Sequence, residues 1–260
     1  MIAFLKSLIP HGIKSRVSSL QYLGVKYYCA YCKRSSGKMR AYGLDLPVLR
    51  KNKVIGGGRR NTACPWCFSS DRERLILVYL RDHTKMFDAA HKAKVLHVAP
   101  EKHLSNILLK LSHLEYACVD RMDPGYTYAG HVQYMDILHI EFPDNHFDYV
   151  ICNHVLEHIV DDKLAMNELC RVLKPGGIAL LQVPVSPVLT KTIEDFSVTD
   201  PKEKERLFGQ YDHVRIYAKD YKDRLASAGF TPQITNISSE PRYSKMLLNQ
   251  EEDIYVMGKE

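Results

Sequence analysis

Four of the seven cysteines form two C-x-x-C pairs, a spacing at which thiols can bind a metal ion. The paired residues are Cys29, Cys32, Cys64 and Cys67. Two such knuckles can bring four thiolates to one tetrahedral Zn²⁺, and the odd total argues against a disulfide framework. The segment between the pairs has few aliphatic side chains and needs a cross-link to fold. We therefore predict structural zinc, with a redox dithiol or a chance pairing as the alternatives.

Two aspartates follow segments that resemble β-strands. Asp120 ends EYACVD (115–120), and Asp136 follows HVQYM (131–135). A carboxylate at the end of a second strand can accept both hydroxyls of a ribose, as the acidic residue of dinucleotide-binding folds does. Aspartate is also common in the turns at strand ends. The joint spacing of the two residues favours contact with a nucleoside cofactor.

Three histidines could accept or donate a proton, because imidazole titrates near neutral pH. His154 and His158 lie one helical turn apart in HVLEH (154–158), just beyond an apolar run. His213 lies with Arg215 in the long connection over residues 186–216, and such connections commonly carry substrate-recognition residues. A histidine alone is more often structural than catalytic, so both interpretations stay open at this point.

These residues need a frame that brings strand ends together. Short runs rich in Val, Ile, Leu and Tyr are typical of buried parallel strands, and they occur at 95–99, 115–120, 131–135, 148–153 and 178–185. Helical patterns alternate with them at 72–82, 102–113, 161–173 and 217–228, and Pro175-Gly176-Gly177 is expected to stop the third of these helices. Residues 232–238 and 252–258 are expected to form a closing antiparallel pair. The order predicts an α/β fold with a doubly wound sheet and ligands at its carboxyl edge.

The stretch FDYVICNHVLEHIVDD (147–162), followed by ELCRVLKPGGIALLQVPV (168–185), resembles the class I S-adenosylmethionine-dependent methyltransferases. In that family the pattern marks the fourth strand, the next helix and the turn into the fifth strand. The resemblance covers roughly residues 70–260. It implies a Rossmann-like seven-stranded sheet, S-adenosylmethionine as cofactor and methyl transfer as the activity.

The loop after the first strand departs from the family, because Ala99, Pro100 and Glu101 stand where glycines are usual. The string VLHVAPEKHLS (95–105) resembles a bacterial subgroup of these methyltransferases in which an Ala-Pro-Glu turn replaces the glycines. That subgroup also has a four-cysteine zinc-ribbon-like prefix and a segment like FGQYDHVRIY (208–217). The resemblance implies zinc on the four paired cysteines, although Phe68 replaces the glycine that is usual in such a knuckle.

The same resemblance assigns contacts to the cofactor. Glu101 would accept from its ammonium group, Asp120 from its ribose and Asp136 from its adenine amino group, with Ile137 beside the ring. The implied cofactor residues are Ala99, Pro100, Glu101, Asp120, Asp136, Ile137 and Asn153.

The expected reaction is methyl transfer to a hydroxyl or amine of a small-molecule or glycan acceptor, with the glycan resting on the resemblance alone. The enzyme must align the nucleophile and, for a hydroxyl, remove its proton. His213 is our candidate for the base or a substrate anchor, and His154, His158 and Arg215 complete the predicted catalytic group. An RNA methyltransferase is the main alternative, although CNHV (152–155) differs from an Asn-Pro-Pro-Tyr type motif. A cofactor-binding scaffold without catalysis is the third interpretation.

Charge divides the chain unevenly. Residues 1–60 hold thirteen lysines and arginines against one acid, Asp45, although the whole chain carries only +6. Such a region suits a polyanionic partner (RNA, an anionic glycan or a phospholipid surface) or forms a solvated face. We expect an amphipathic helix over 1–25, a zinc-ribbon-like module over 26–70 and a methyltransferase domain over 71–260. No apolar run reaches the length of a membrane span and no secretory signal is evident, so a cytoplasmic location is expected.

Overall fold

The computed structural model describes residues 20–123 and 127–260. Residues 1–19 of the helix predicted over 1–25 therefore lie outside the described residues. Among the described residues the α-helices are Pro47–Lys51 (α1), Asp71–Asp82 (α2), Lys102–Leu108 (α3), Asp162–Val172 (α4), Pro201–Phe208 (α5) and Tyr221–Ser227 (α6). Single 3₁₀ turns cover Leu156–His158 and Pro241–Tyr243. None of the described helices has the length and apolar character needed to cross a bilayer.

The β-strands fall into one large sheet and three two-stranded ladders. In chain order they are Tyr27–Tyr28 (β1), Ser35–Ser36 (β2), Arg40–Tyr42 (β3), Arg60–Ala63 (β4), Ala93–Val98 (β5), Leu114–Asp120 (β6), Val132–Tyr134 (β7), Phe147–Cys152 (β8), Leu173–Leu180 (β9), Ile193–Glu194 (β10), Arg215–Ile216 (β11), Thr231–Thr235 (β12) and Ile254–Gly258 (β13). The ladders pair β1 with β2, β3 with β4, and β10 with β11.

The large sheet has seven strands in the order β12-β13-β9-β8-β5-β6-β7. Strand β13 runs antiparallel to both of its neighbours, and every other pairing is parallel. The Rossmann-like sheet and its closing antiparallel pair are therefore confirmed. Strand β5 has β6 on one side and β8 on the other, so the chain order reverses there. Open sheets of this kind bind ligands outside the carboxyl ends of the strands at such a reversal.

The two central strands are buried on both faces, which is why they appear in the sequence as continuous apolar runs. In β8, Val150 and Cys152 pack into one core cluster, whereas Tyr149 and Ile151 pack into the other. Strand β5 divides its side chains in the same way, with Leu96 on the first face. This period of two fixes which residues reach the carboxyl edge together.

Two local predictions about helix and strand ends were wrong. Pro175-Gly176-Gly177 lies inside β9, because the strand begins at Leu173, directly after α4. The register with β8 shifts between Phe147 and Tyr149, so an irregular strand start accommodates the Pro-Gly-Gly segment. Helix α3 also ends at Leu108, earlier than residue 113, because the chain must turn to begin β6 at Leu114.

The N-terminal part of the chain packs against the main sheet domain. Leu49 and Val54 form a small core cluster with Phe208 and Ile216 from the far half of the chain. An isolated antiparallel bridge pairs Ile55 with Val185. Residues 45–60 therefore form a wall against the larger body.

Arg74, in α2, holds the two parts together. Its guanidinium donates to the carbonyl oxygens of Thr62 and Ser69, each at 2.8 Å. It also donates to those of Met246 at 2.8 Å and Leu247 at 3.3 Å. The side chain is completely buried, and a buried cation is tolerated only with such a full set of acceptors. Arg74 thus ties the cysteine region to the loop before β13.

Candidate functional site

The four paired cysteines converge on one point. Their Sγ atoms all lie within 4.8 Å of one another, with Cys29 3.6 Å from Cys67 and Cys32 3.7 Å from Cys64. A disulfide would bring two sulfurs to about 2 Å, and all four are free thiols. Tetrahedral Zn²⁺ with Zn–S bonds of about 2.3 Å needs sulfur–sulfur edges of about 3.8 Å. The donor type and the spacing therefore fit one zinc ion.

Both knuckles have the same backbone form. Lys33 donates its N–H to the carbonyl of Cys29, and Phe68 donates to that of Cys64, each at 2.9 Å. Both residues are left-handed, with φ of 56° and 66°. Phe68 therefore adopts the conformation that glycine usually supplies, and its exposed ring lies under the guanidinium of Arg40 at 4.7 Å. The replacement of glycine does not open the second knuckle.

The cysteine cluster is linked to α3, the helix that follows the Ala-Pro-Glu turn. His103, in the first turn of α3, has its Nε2 2.8 Å from the carbonyl oxygen of Cys67. Its Nδ1 lies 2.9 Å from Oε1 of Glu73. Glu73 also completes a capping box with Ser70 at the start of α2. The second knuckle, α2 and α3 thus form one hydrogen-bonded unit.

The Ala-Pro-Glu turn follows β5 at the sheet reversal. Ala99 is left-handed, with φ of 47°, and donates its N–H to Val119 of β6. Glu101 directs its carboxylate back to the sheet, where Oε2 meets Nε2 of His97 at 2.7 Å and Oε1 accepts from Asn153 at 3.1 Å. Burial raises the pKa of Glu101, but the hydrogen bond and the charge of His97 outweigh it and hold that pKa below its usual value. Glu101 is therefore an ionised carboxylate fixed at the carboxyl edge.

The two aspartates lie where the sequence predicted them. Asp120 ends β6, and its Oδ1 accepts from the N–H of Met122 at 2.9 Å. Asp136 follows β7, and its Oδ1 accepts in the same way from Leu138. A carboxylate has two oxygens with several acceptor positions, so each aspartate can hold its own turn and still accept from a nucleoside. Ile137 is 5% exposed and belongs to the core beneath this edge.

Asn153 and His154 complete this edge after β8. Asn153 donates to Glu101, but its buried Oδ1 has no hydrogen-bond partner among the described residues. His154 is left-handed, with φ of 55°, and neither of its buried ring nitrogens is hydrogen-bonded there. Buried polar atoms are rarely left unsatisfied. His154 Nδ1 faces Glu157 at 3.4 Å, so Asn153 Oδ1 and His154 Nε2 are the polar atoms after β8 that a ligand could satisfy.

A cavity of about 610 Å³ adjoins this edge. Its walls come from the glycine segment Gly56–Gly58, from the turn after β8 and from the connection after α5. His154, Glu157, His158, His213 and Arg215 are among its lining residues. The structure therefore brings all four predicted catalytic residues to one cavity, although two of them lie more than fifty residues along the chain from the others.

The titratable groups of this cavity perturb one another. Burial raises the pKa of Glu157, but the close approach and charge of His154 and the charges of His158 and His213 bring it down to about 2. Burial dominates at His213 and lowers its pKa to about 4. At His158 burial is outweighed by Asp212, whose Oδ2 lies 3.2 Å from Nδ1, so the pKa of His158 is raised. At neutral pH Glu157 is ionised and His213 is neutral.

Arg215 has a different position from the histidines. Its guanidinium is fully buried and donates to the carbonyl oxygens of Leu156, Ile159 and Val160 and to Glu194. These bonds use four of its five N–H donors. Arg215 therefore fixes the 156–160 turn that carries Glu157 and His158, and the geometry gives it a positioning role.

Several residues of the site had no signal in the sequence that distinguished them. Arg72 enters the cavity from α2, where its Nη2 donates to the hydroxyl of Tyr42 at 3.3 Å. Arg60 lines the same cavity and pairs with buried Asp71 at 3.1 Å. His97 is predicted only as a strand residue, yet it orients Glu101. The glycine triplet was the one visible signal, because three glycines permit close backbone approach.

The central part of the chain matches a known protein family. Residues 104–181 match the family model described as "Methyltransferase domain". Residues 104–181 of the chain are therefore similar to a methyltransferase domain. The match begins after the Ala-Pro-Glu turn and the cysteine pairs, so it says nothing about either feature.

Curated relatives support the domain over limited stretches. The ubiquinone/menaquinone biosynthesis C-methyltransferase UbiE of Ectopseudomonas mendocina is 38% identical over 117 residues, which are 39% of this chain and 46% of that protein. The same enzyme of Francisella tularensis subsp. novicida is 38% identical over 61 residues, or 22% and 24%. The chain thus spans less than half the length of these relatives. Among solved structures, the [4+2]-cyclase SpnF has a TM-score of 0.48 at 17% identity, covering 84% of this chain and 99% of that one.

Proposed function

We propose that the protein transfers a methyl group from S-adenosylmethionine to a hydroxyl or amine of a small-molecule or glycan acceptor. The observation that carries this proposal is the meeting of two sites at His154. His154 directly follows Asn153 at the carboxyl edge of the large sheet, where the cofactor would bind. It also lines the 610 Å³ cavity. A donor bound at the edge and an acceptor bound in the cavity would be neighbours, as an in-line transfer requires.

The cofactor would be held by the edge residues. Glu101 offers a fixed carboxylate to an ammonium group, and the unpartnered Oδ1 of Asn153 lies beside it as a further acceptor. Asp120 and Asp136 would accept from the ribose and the adenine. When bound, S-adenosylmethionine supplies an electrophilic methyl on a sulfonium whose departure needs no acid. The protein's part is therefore to bind, to orient and to prepare the acceptor.

The cavity supports a small acceptor over an RNA. Its volume falls within the roughly 300–1,000 Å³ typical of small-molecule sites. Arg60 and Arg72 line it together with the ionised Glu157, so its polar groups suit a hydroxylated or charged molecule. The basic residues 1–60 remain the argument for RNA or another polyanion, since of the described lysines and arginines in that region only Arg60 lines this cavity.

We further propose that the four-cysteine cluster holds one structural zinc ion. The free thiols suit a reducing compartment, which agrees with a cytoplasmic location. Through Ser69, whose hydroxyl lies 3.2 Å from Cys29 and 3.3 Å from Cys67, the ion would be joined to the start of α2. The zinc would thereby stabilise the wall that closes the acceptor cavity.

Transfer of a radiolabelled methyl group tests the proposal. Purified protein is incubated with methyl-labelled S-adenosylmethionine and with fractions from a strain that lacks the gene: small molecules, glycans and RNA. Label in a small-molecule or glycan fraction is expected. Label in RNA alone would favour the alternative enzyme, and cofactor binding without label in any fraction would favour the scaffold.

A further inference from the structure

Three side chains of the acceptor cavity direct their ligand atoms toward one another. A carboxylate oxygen of Glu157 and one ring nitrogen each of His158 and His213 all lie within 4.8 Å. The rings of the two histidines meet edge to face with centroids 4.6 Å apart. Two imidazoles and one carboxylate form a donor set that binds divalent transition metals.

The carboxylate at this cluster has an unsatisfied oxygen. Glu157 is 2% exposed, and its buried Oε2 has no hydrogen-bond partner among the described residues. Its other oxygen, Oε1, lies 3.4 Å from Nδ1 of His154. A buried carboxylate oxygen without a partner is unfavourable. The geometry thus leaves one carboxylate oxygen for a ligand while the other faces His154.

Asp212 supplies the outer contact that metal-binding histidines usually have. Its Oδ2 lies 3.2 Å from Nδ1 of His158, which leaves Nε2 of that ring available. A carboxylate in this position fixes the ring and raises its basicity as a ligand. Arg72 lines the same cavity and would oppose a cation, whereas Glu157 in the cluster and Asp212 beside His158 contribute carboxylates.

We propose that Glu157, His158 and His213 bind one divalent transition-metal ion, separate from the four-cysteine cluster, whose remaining coordination positions face the cavity. Three protein ligands with open positions are the arrangement of catalytic metal sites, whereas four closed ligands are that of structural ones. The site formed by Glu157, His158 and His213 is therefore assigned a catalytic role, and the four-cysteine cluster a structural role.

The chemical role of this ion rests on the proposed methyl transfer. An acceptor hydroxyl that occupies an open position would ionise near neutral pH, because a bound cation lowers the pKa of coordinated oxygen. The O–H bond breaks, the electron pair stays on oxygen and the proton passes to water. That oxygen is then the nucleophile for the methyl group. The acceptor class narrows to hydroxyl compounds, since an amine lone pair would be withdrawn by the ion.

Manganese binding tests the site without cofactor or acceptor. Mn²⁺ prefers oxygen ligands to thiolates, so protein that carries a single equivalent of zinc, held by the four thiolates, is titrated with Mn²⁺ and followed by electron paramagnetic resonance. We expect one bound Mn²⁺ per chain. Glu157→Gln and His158→Ala should abolish binding, and Asp212→Asn should weaken it about 10- to 100-fold. His139→Ala, which removes a histidine outside the cavity, should leave binding unchanged.

Absence of Mn²⁺ binding to the wild-type protein, or equal binding to His158→Ala, would overturn the site. His158 and Asp212 are partly exposed, so their variants remain informative if Glu157→Gln does not fold; circular dichroism establishes folding in each case. S-adenosylmethionine affinity is measured separately by calorimetry. Cofactor binding without Mn²⁺ binding would refute the metal site and leave the proposed methyl transfer standing, whereas the reverse result would refute the transfer.

Discussion

The imidazole of His103 donates to the carbonyl oxygen of Cys67 at 2.8 Å, so a residue two positions after Glu101 is fastened to a zinc-type knuckle. His103 lies in α3, whose first turn follows the Ala-Pro-Glu loop. The cysteine cluster is therefore hydrogen-bonded to the helix that follows the Ala-Pro-Glu turn at the carboxyl edge of the sheet. Disorder of the cysteine cluster is therefore expected to disturb the carboxyl edge that carries Glu101, and the reverse.

Removal of the His103 side chain should weaken cofactor binding without releasing zinc. His103→Ala is expected to keep its zinc but to bind S-adenosylmethionine about 3- to 10-fold more weakly, since one or two hydrogen bonds that fix α3 are lost. Zinc is measured by elemental analysis and affinity by calorimetry. The control is His113→Ala, whose ring contacts Met86 away from the loop. Unchanged affinity in the His103 variant would show that the link has no influence on the cofactor.

The four-cysteine cluster is expected to hold zinc in the purified protein. Purified protein should contain close to one zinc per chain, because four thiols meet at tetrahedral spacing. Cys64→Ser should release the ion and lower the melting temperature. Cys118→Ser, at a buried cysteine outside the cluster, should retain the metal. Wild-type protein prepared without chelator and found free of zinc would contradict the assignment.

Asp120 is expected to dominate recognition of the ribose. Asp120→Ala should weaken S-adenosylmethionine binding by about 1.5–3 kcal/mol, the usual value of hydrogen bonds to a charged group. Calorimetry measures the change. Glu115→Ala, on the same strand but with an exposed side chain paired to Lys94, is the matched control and should bind normally. Equal affinities for the two variants would mean that the cofactor lies elsewhere.

His213 is predicted to be required for turnover rather than for cofactor binding. Its side chain lines the acceptor cavity, not the edge beside Asp120. His213→Ala should leave S-adenosylmethionine affinity nearly intact and reduce methyl transfer by about 10²–10⁴, the usual effect of losing a group that activates the nucleophile. Transfer of labelled methyl measures the rate. Full activity in this variant, together with an inactive His154→Ala that binds cofactor normally, would move the role to His154.

Stability should depend on pH through Glu252. Burial and the negative charge of Asp71 raise the pKa of Glu252 to about 7, against 4.5 for the ordinary side chain. The native state therefore holds a proton that the unfolded chain has released, and this contribution is complete below the unfolded pKa and is lost as pH rises through 7.

Glu252→Gln cannot ionise, so it should match the wild type at pH 5 and exceed its free energy of unfolding by about 1–3 kcal/mol at pH 8. Urea unfolding at both pH values gives the difference. Glu251→Gln changes an exposed neighbour and should show no such divergence. A variant that is less stable than the wild type at pH 8 would show that Glu252 is ionised and usefully paired in the native state.

The sequence predicted the sheet well because its signals are local. Strands β5 and β8 have apolar side chains on both faces, and α2 begins with Ser70 and Glu73 in a capping box. The positions of Asp120 and Asp136 follow from strand ends alone. The Pro-Gly-Gly segment was misassigned, since a strand that begins without a connecting turn depends on its pairing with β8.

The acceptor cavity could not be predicted, because it forms only by packing between distant segments. Nothing near Arg72 in the chain indicates that it shares a cavity with Glu157, and Asp212 meets His158 only after α5 has been placed. Sequence reasoning located His154, His158 and His213 as separate candidates. Their joint relation to a buried carboxylate depends on tertiary structure.

The contacts of Arg74 also form in a fixed order during synthesis of the chain. The carbonyls of Thr62 and Ser69 emerge with it, but the Met246 carbonyl that it needs is synthesised 172 residues later. Until then the guanidinium must stay hydrated, because a buried charge with half of its acceptors missing is strongly unfavourable. The cysteine region can therefore be fastened to the loop before β13 only after residue 247 has been synthesised.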